Sequence, residues 1–504
     1  MGWLIVIVLV LAGVVAYDLT QTKHAILRNF PIIGHFRYWL EAVGPELRQY
    51  IVTNNDEERP FSRDQRRWVY ASAKQENNYF GFGTDNEVEL ASNYLIIKHA
   101  AFPYRPPAPH NATEAALRPI PVAKVLGGWR DRRKKFRPAS IINVSAMSFG
   151  SLSGAAIQAL NRGCAQSGCL HNTGEGGISP HHDQGAGLIW QLGTGYFGAR
   201  APDGSLDLDK LAEKVERFNV RAIEIKLSQG AKPGKGGVLP GAKVTAEIAN
   251  IRGIPEGVDC LSPAYHRAFS SPDELLDVVE RIADATGLPV GIKSAVGELG
   301  FWRDMARLMS DTGRGVDYIQ IDGGEGGTGA APLVFSDHVA MPFLVGFSRV
   351  YPIFAEAGLA EKIVFAGSGK LGFPERAVLA MALGCDMVMV AREAMMAIGC
   401  IQAQKCETGH CPTGVATQNK WLVRGLDPTD KAARLANYMA TFRHEVAQLA
   451  HACGLPHPSS FTLDHLEILD GRYGSASARE IFNYESHWGI PSQVDTEELL
   501  AEIA

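Results

Sequence analysis

Cys400, Cys406 and Cys411 stand in a C-x5-C-x4-C run closed by Pro412, a few residues beyond what reads as the last strand of an α/β barrel. A loop that returns three thiolates to one point suits an iron–sulfur cluster, because iron takes soft sulfur ligands and a tight loop fixes their geometry. Three cysteines rather than four point to a 3Fe–4S cluster, or to a cubane completed from elsewhere. A structural zinc site and three unrelated thiols are the competing readings. The paired C-x2-4-C knuckles that zinc favours are absent here.

Other residues with chemical capacity follow the carboxyl ends of apolar runs. Gly367, Ser368, Gly369 and Lys370 follow one such run, and Ala391 and Arg392 the next. In barrels, these two positions commonly bind a phosphate through exposed N–H groups, which would suit a phosphate-bearing cofactor. Lys293 and Lys226 end two further runs. A cation there would stabilise the negative charge of a reduced flavin, form a Schiff base, or simply pair with a carboxylate. The stretch Asp322–Gly329, with Gly324 and Gly327, lets backbone approach a planar ligand or anionic substrate. Its plainer reading is a flexible loop. Glu175, on the tight turn Asn172–Gly177, is a candidate to handle an ammonium or iminium proton or to gate access. His181, His182 and Asp183 are a weaker metal candidate, since neighbouring residues on a strand point apart.

The elements that must position these residues recur regularly. Candidate strands are 141–146, 169–173, 188–193, 221–227, 289–295, 317–322, 362–367 and 387–391. Continuous apolar runs of this kind mark parallel strands covered on both faces. Eight such units predict an α/β fold of the (β/α)8 TIM-barrel class, with an open doubly wound sheet as competitor. A long insert, 229–269, and an amphipathic helix over 431–454 complete this region. We expect a membrane anchor at 1–17, an extension at 18–135 wrapping the barrel, the barrel at 136–455 with the cysteine loop at 400–412, and a tail at 456–504. Phe102–Pro109 reads as an extended linker. Arg130–Arg137 reads as a solvated basic face, or as a docking patch for an acidic electron carrier or anionic lipid.

Lys+Arg 49 against Asp+Glu 54 leaves a net charge of −5, which gives no reason to expect nucleic acid binding. The 8 cysteines form no secreted disulfide framework, and a thiolate cluster implies a reducing compartment. Gly2–Tyr17 carries no charge, and Lys23 and Arg28 follow it. That reads as a short single-pass anchor with the remainder of the chain on the cytoplasmic side.

From about Ile141 to Gln418 the chain resembles the FMN-binding synthase domain of glutamate synthases. The resemblance lies in Ala146–Ser153, Asn172–Gly177, Glu224–Gly234, Gly323–Pro332 and Gly399–Gln418. It implies a TIM barrel carrying FMN and a 3Fe–4S cluster, an oxidoreductase acting on CH–NH2 donors. The reaction implied is addition of ammonia to 2-oxoglutarate and reduction of 2-iminoglutarate to L-glutamate. It further implies Cys400, Cys406 and Cys411 as cluster ligands. Ala146, Met147, Ser148, Lys226, Lys293, Gly367, Ser368, Gly369, Ala391 and Arg392 would line the FMN site, with Glu175 and Lys293 nearest the chemistry.

The chain also departs from that family. An anchor stands where the amidotransferase domain would be, so ammonia is expected free or from a separate amidotransferase subunit. No G-x-G-x-x-G lies in a recognisable βαβ unit, so electrons are expected from ferredoxin or a membrane donor. Gly346–Tyr351, with Arg349, replaces polar residues of the family after strand six. Arg349 joins Gly324 and Gly327 as a substrate candidate. Two other readings stand beside the synthase: a membrane-tethered electron-transfer subunit, and an FMN-dependent 2-hydroxyacid oxidoreductase, which would want a strand-end His–Arg pair.

Overall fold

The computed structural model describes residues 2–21, 23–52, 57–106 and 120–503. It divides into two compact units, Met1–Arg67 and Trp68–Ala504. The expected extension at 18–135 is therefore parted near Arg67. Its first portion belongs with the apolar helix and the remainder with the barrel.

In the larger unit eight parallel strands close on themselves. They are β1 (Ile142–Val144), β2 (His171–Asn172), β3 (Leu188–Leu192), β4 (Val220–Lys226), β5 (Val290–Ser294), β6 (Tyr318–Asp322), β7 (Val364–Ser368) and β8 (Met387–Val390). β8 pairs with β1, Val388 opposite Ile142, and this leaves no edge. Nearly every strand residue is buried, so the apolar runs are dictated by helices outside and packed side chains within. Helices follow with their ends signalled in the sequence. Ser153, Asp207 and Ser271 cap helices Gly154–Ser167, Leu208–Arg217 and Pro272–Thr286, and Gly168 and Gly287 end two of them in the left-handed region. The amphipathic helix extends over Pro428–Ala452 and packs on Gly154–Ser167. The approach is close enough that a Cβ on Gly163 would lie 2.7 Å from Leu435 Cβ.

Two segments outside the barrel are tied to it. Ser92–Ile97 pairs antiparallel with Leu466–Asp470, which also pairs with Ser475–Ser477, so the tail and the extension share one small sheet. Ala100 and Tyr104 donate their N–H groups to Ala452 and His451 at the end of the long helix. This accounts for the first part of the proline-rich passage, whose residues 107–109 lie outside the described residues.

The basic run 130–137 is solvated only in part: Arg133, Lys134 and Lys135 are exposed, whereas Arg130, Arg132 and Arg137 are wholly or partly buried. Arg132 is buried, donating to Asp317 at 3.0 Å and Glu280 at 2.7 Å, and Arg130 shares Glu280. Lys134 pairs with Glu216, and Arg137 with Glu498 and Glu502. Asp317 also accepts the Val290 N–H, so the run clamps the amino ends of β5 and β6. Burial pushes the Asp317 carboxyl up to about 6 against the pull of Arg132. Lys124 does the same at β7 and β8, donating to Ala360 O, Ile363 O and Asp386. Partners this far away in sequence are invisible to composition.

Candidate active site

The opposite, carboxyl end of the barrel gathers the residues with chemical capacity. Lys226 and Lys293 end β4 and β5 and are direct register neighbours, as are Lys293 and Gln320. Two ammonium groups side by side require buried counter-charges. Lys226 Nζ donates to Glu175 Oε1 at 2.8 Å and to Gln229 Oε1 at 2.6 Å. Lys293 Nζ lies 3.7 Å from Asp322 Oδ2. Asp322 in turn accepts the Gly230 N–H at 2.8 Å and the Ser368 hydroxyl at 2.5 Å.

Glu175 sits against main chain. A Cβ on Gly193 would lie 2.5 Å from its Oε2, and one on Gly237 would lie 2.8 Å from its Oε1. Burial would raise its carboxyl, but Lys226, with Lys232 and Arg252 further off, holds it below the usual range. Glu175 is therefore an anion at neutral pH.

Beneath the lysines lies a polar layer inside the barrel. Glu224 is fully buried and accepts from Asn172 Nδ2 at 2.9 Å and Gln191 Nε2 at 2.5 Å. Gln320, its amide turned to satisfy its neighbours, donates to Glu224 Oε1 at 2.8 Å. Its oxygen then accepts from Lys293 Nζ at 3.3 Å and lies 2.9 Å from Ser368 Oγ, whose proton goes to Asp322. Glu224, Gln320 and Asp322 were not singled out from the sequence. The available signal was strand parity: Glu224 precedes Lys226 by two, and Gln320 precedes Asp322 by two, so each pair shares a face.

The expected cofactor loops lie on the same rim. The turn carrying Gly174 (φ +66°) nests on the loop 146–148, where a Cβ on Gly174 would lie 2.8 Å from Ser148 N. After β7, Gly369 (φ +132°) and Lys370 (φ +61°) turn the chain sharply. Gly327 passes Arg392 so closely that a Cβ would lie 2.6 Å from Arg392 Cδ, and Arg392 donates to Glu325 O. Backbone bared at glycines beside a guanidinium fits a phosphate-bearing ring cofactor such as FMN.

Arg349 is elsewhere. Residues 343–356 form a helix whose Phe347 and Tyr351 pack on Phe365 of β7, and Arg349, two positions from each, is exposed with Nη1 3.6 Å from Met341 Sδ. The departure after β6 thus falls on a barrel helix. His181 and His182 lie in the 3-10 turn Pro180–His182 and not on a strand. His182 is buried against Met147 O, while His181 pairs with Glu247, so no metal site joins them.

The insert becomes a hairpin, Val238–Leu239 against Cys260–Leu261, with helix Ala246–Arg252. It reaches the cysteine loop through Lys243, which donates to Cys406 O at 2.6 Å and Ala416 O at 3.3 Å. Cys406 also abuts Gly329, where a Cβ would lie 3.1 Å from Cys406 Cβ. Burial disfavours ionising Cys411, but the N–H groups of Ala416, Thr413 and Val415 and the Thr413 hydroxyl outweigh it and hold the thiol below its ordinary pKa. Among the described residues no three His, Cys, Asp or Glu side chains are gathered as a single metal ion requires. A three-iron cluster takes one thiolate per iron, so its ligands need not converge on one ion. Burial raises the Cys406 thiol instead, and an all-sulfur donor set of this kind fits that chemistry.

Residues 121–456 match the conserved region in glutamate synthase. The glutamate synthase large subunit-like protein YerD of Bacillus subtilis (strain 168) is 35% identical over 496 residues, 92% of this chain and 94% of that one. This chain belongs to the glutamate synthase family. An archaeal glutamate synthase (NADPH) of Methanocaldococcus jannaschii is 38% identical over 322 residues, 62% of this chain and 59% of that enzyme. The chain therefore spans under two thirds of that relative's length. Among solved structures, a mandelate oxidase with (S)-4-hydroxymandelic acid aligns over 78% of this chain and 95% of its own, at 14% identity and a TM-score of 0.43. That likeness is too loose to bear on the reaction.

Proposed function

We propose that the protein is an oxidoreductase of the glutamate synthase type that forms L-glutamate by reducing the imine of 2-oxoglutarate and ammonia. The observation that carries this reading is the pair of neighbouring strand-end lysines, one salt-bridged to Glu175 and the other facing Asp322, on the carboxyl face of a glutamate synthase family barrel. FMN, held by Ala146, Met147, Ser148, Gly367, Ser368, Gly369, Ala391 and Arg392, would supply a hydride to the imine carbon, and a 3Fe–4S cluster on Cys400, Cys406 and Cys411 would deliver single electrons.

The residues divide the proton work. Glu175, an anion, is suited to take a proton from incoming ammonium. Lys226 is suited to give one to the hydroxyl that departs as water when the imine forms. Lys293 would supply positive charge to a reduced flavin, and Gly324 and Gly327 would let the substrate approach main chain. Ammonia would arrive free or from a separate amidotransferase subunit, and electrons from ferredoxin or a membrane donor. Gly2–Thr20 has a mean hydropathy of 2.3 over its apolar window and would anchor the chain in a membrane, with the barrel on the cytoplasmic side.

The test uses protein purified without oxygen. Its flavin is photoreduced and mixed with 2-oxoglutarate and ammonium while flavin absorbance and glutamate are followed. Reoxidation that needs both reagents and yields glutamate supports the reading. A reduced flavin indifferent to the mixture sinks the substrate assignment and favours an electron-transfer role.

A further inference from the structure

We propose that the helix Ile33–Leu47 lies in the headgroup–acyl boundary of an anionic bilayer, giving the chain a second hold on the membrane beside Gly2–Thr20. The inference rests on the reading that Gly2–Thr20 spans that bilayer.

The helix has an apolar stripe that the described residues of its own unit leave exposed. Ile33, Phe36, Trp39, Leu40 and Leu47 are all exposed, and Phe30 just before it is exposed as well. At 100° per residue, positions 33, 36, 39, 40 and 47 fall within one third of the helix circumference. His35, Arg37, Tyr38 and Glu41 occupy the opposite side. Phe36 and Trp39 stack, with ring centroids 5.7 Å apart. An amphipathic helix with Trp and Phe on its apolar face is the kind that lies in a membrane interface.

Its position relative to the span selects the occupant. Asp18, in the last turn of Gly2–Thr20, is fully buried. It accepts the Ile32 N–H at 2.9 Å and the His35 ring N–H at 2.9 Å. The second helix therefore starts within hydrogen-bonding reach of the end of the span, at the depth of the headgroups. That junction also engages the Asp18 carboxylate, which an anionic surface would repel if it were bare. Between residues 21 and 52, Lys23, Arg28, Arg37 and Arg48 face only Glu41 and Glu46, a local positive excess in a chain of net charge −5. Charge complementarity and continuity with the span both favour a lipid surface over a second copy of the chain.

The experiment places the full chain in vesicles of phosphatidylcholine with about 30 mol% phosphatidylglycerol, some carrying bromine high on the acyl chains. Trp39 emission is isolated as the difference between the native chain and Trp39→Phe. Quenching of that signal by about twofold or more, and its loss in phosphatidylcholine alone, is the expected result. A Trp39 signal untouched by bromine but open to aqueous iodide overturns the proposal, because the helix is then in water. A signal shielded from both overturns it in favour of a protein partner. A chain that does not float with vesicles at all shows instead that the span reading has failed.

Discussion

Glu224 offers the sharpest test of the polar layer beneath the lysines. Its two oxygens receive three side-chain donors, from Asn172, Gln191 and Gln320, which fill three of the roughly four acceptor positions of a carboxylate. Burial raises its carboxyl, while Lys293 and the donors from Gln191 and Asn172 work to keep it ionised. Glu224→Gln preserves shape but turns one oxygen into an N–H donor facing another donor. The least costly relief is to turn Gln320, whose oxygen then meets the new amide and whose NH2 swings towards Ser368 and Lys293. The Lys293 ammonium loses an acceptor, and the core loses a charged partner. With hydrogen bonds to charged groups contributing about 1.5–3 kcal/mol each, the variant should lose about 3 kcal/mol. The unit Trp68–Ala504 has an unfolding entropy of about 0.9 kcal/mol/K, so the melting temperature should fall by about 3 °C at pH 7. Differential scanning calorimetry reads this directly. A variant melting with the native protein would mean that Glu224 is protonated in the fold and that the assigned hydrogen-bond directions are wrong.

The same geometry makes further predictions. His182 and His457 are buried, and their pKa values are held down to about 4 by that burial, so the unfolded chain binds protons first as pH falls below 6.5. Stability should fall between pH 6.5 and 4, by about 2 kcal/mol per histidine at pH 5; denaturant midpoints unchanged from pH 7 to 5 would contradict it. Gly230→Ala would put a Cβ 1.8 Å from Gly323 O, forcing the loops after β4 and β6 apart by over about 1 Å and breaking the 2.8 Å bond from Gly230 to Asp322. Bound flavin should fall at least about tenfold while circular dichroism stays native, and full flavin content would refute the close approach. Arg132→Met leaves the buried Asp317 without its ion-pair partner and Glu280 with Arg130 alone, and should cost about 3 kcal/mol, read by calorimetry, with flavin content per folded chain unchanged. Lys293→Met should weaken 2-oxoglutarate binding, followed by titration of the oxidised protein, more than Lys226→Met does; the reverse order would reassign the two lysines.

The barrel was legible because its strands are short, apolar and buried on both faces, a pattern that depends on local composition alone. All eight candidate runs became strands, each within a few residues of its expected limits. The lysines and Glu175 were legible because they follow those runs. What sequence could not supply were pairings across the chain. Arg130–Arg137 reads as a solvated face, which holds for Arg133–Lys135; the burial of Arg132 was not legible because Glu280 and Asp317 lie far off in sequence, and only closure of the barrel brings them together. Arg349 looked like a site residue because it replaces polar positions of the family. Its segment proves to be the helix that stacks Phe347 and Tyr351 on β7, which turns the residue between them outward. Glu224 and Gln320 were passed over because a polar residue within an apolar run reads as a blemish, although strand parity puts them directly below the reacting groups.

The two strand-end lysines are not equivalent, and the difference follows from their counter-ions. Lys226 is held by Glu175 at 2.8 Å and by Gln229 at 2.6 Å, so an anion approaching it must displace a short ion pair already walled in by Gly193 and Gly237. A cation meets no such cost there, because Glu175 remains an anion with capacity to accept a further donor. Lys293 stands 3.7 Å from Asp322, whose oxygens are already engaged by Gly230 and Ser368. Its positive charge is therefore the less neutralised of the two. The geometry thus separates a side suited to the nitrogen of an ammonium or iminium from a side suited to a carboxylate or an electron-rich ring. The proposed joining of ammonia to an oxoacid would use that separation, which arises from register neighbours on adjacent strands whose acids come from different loops.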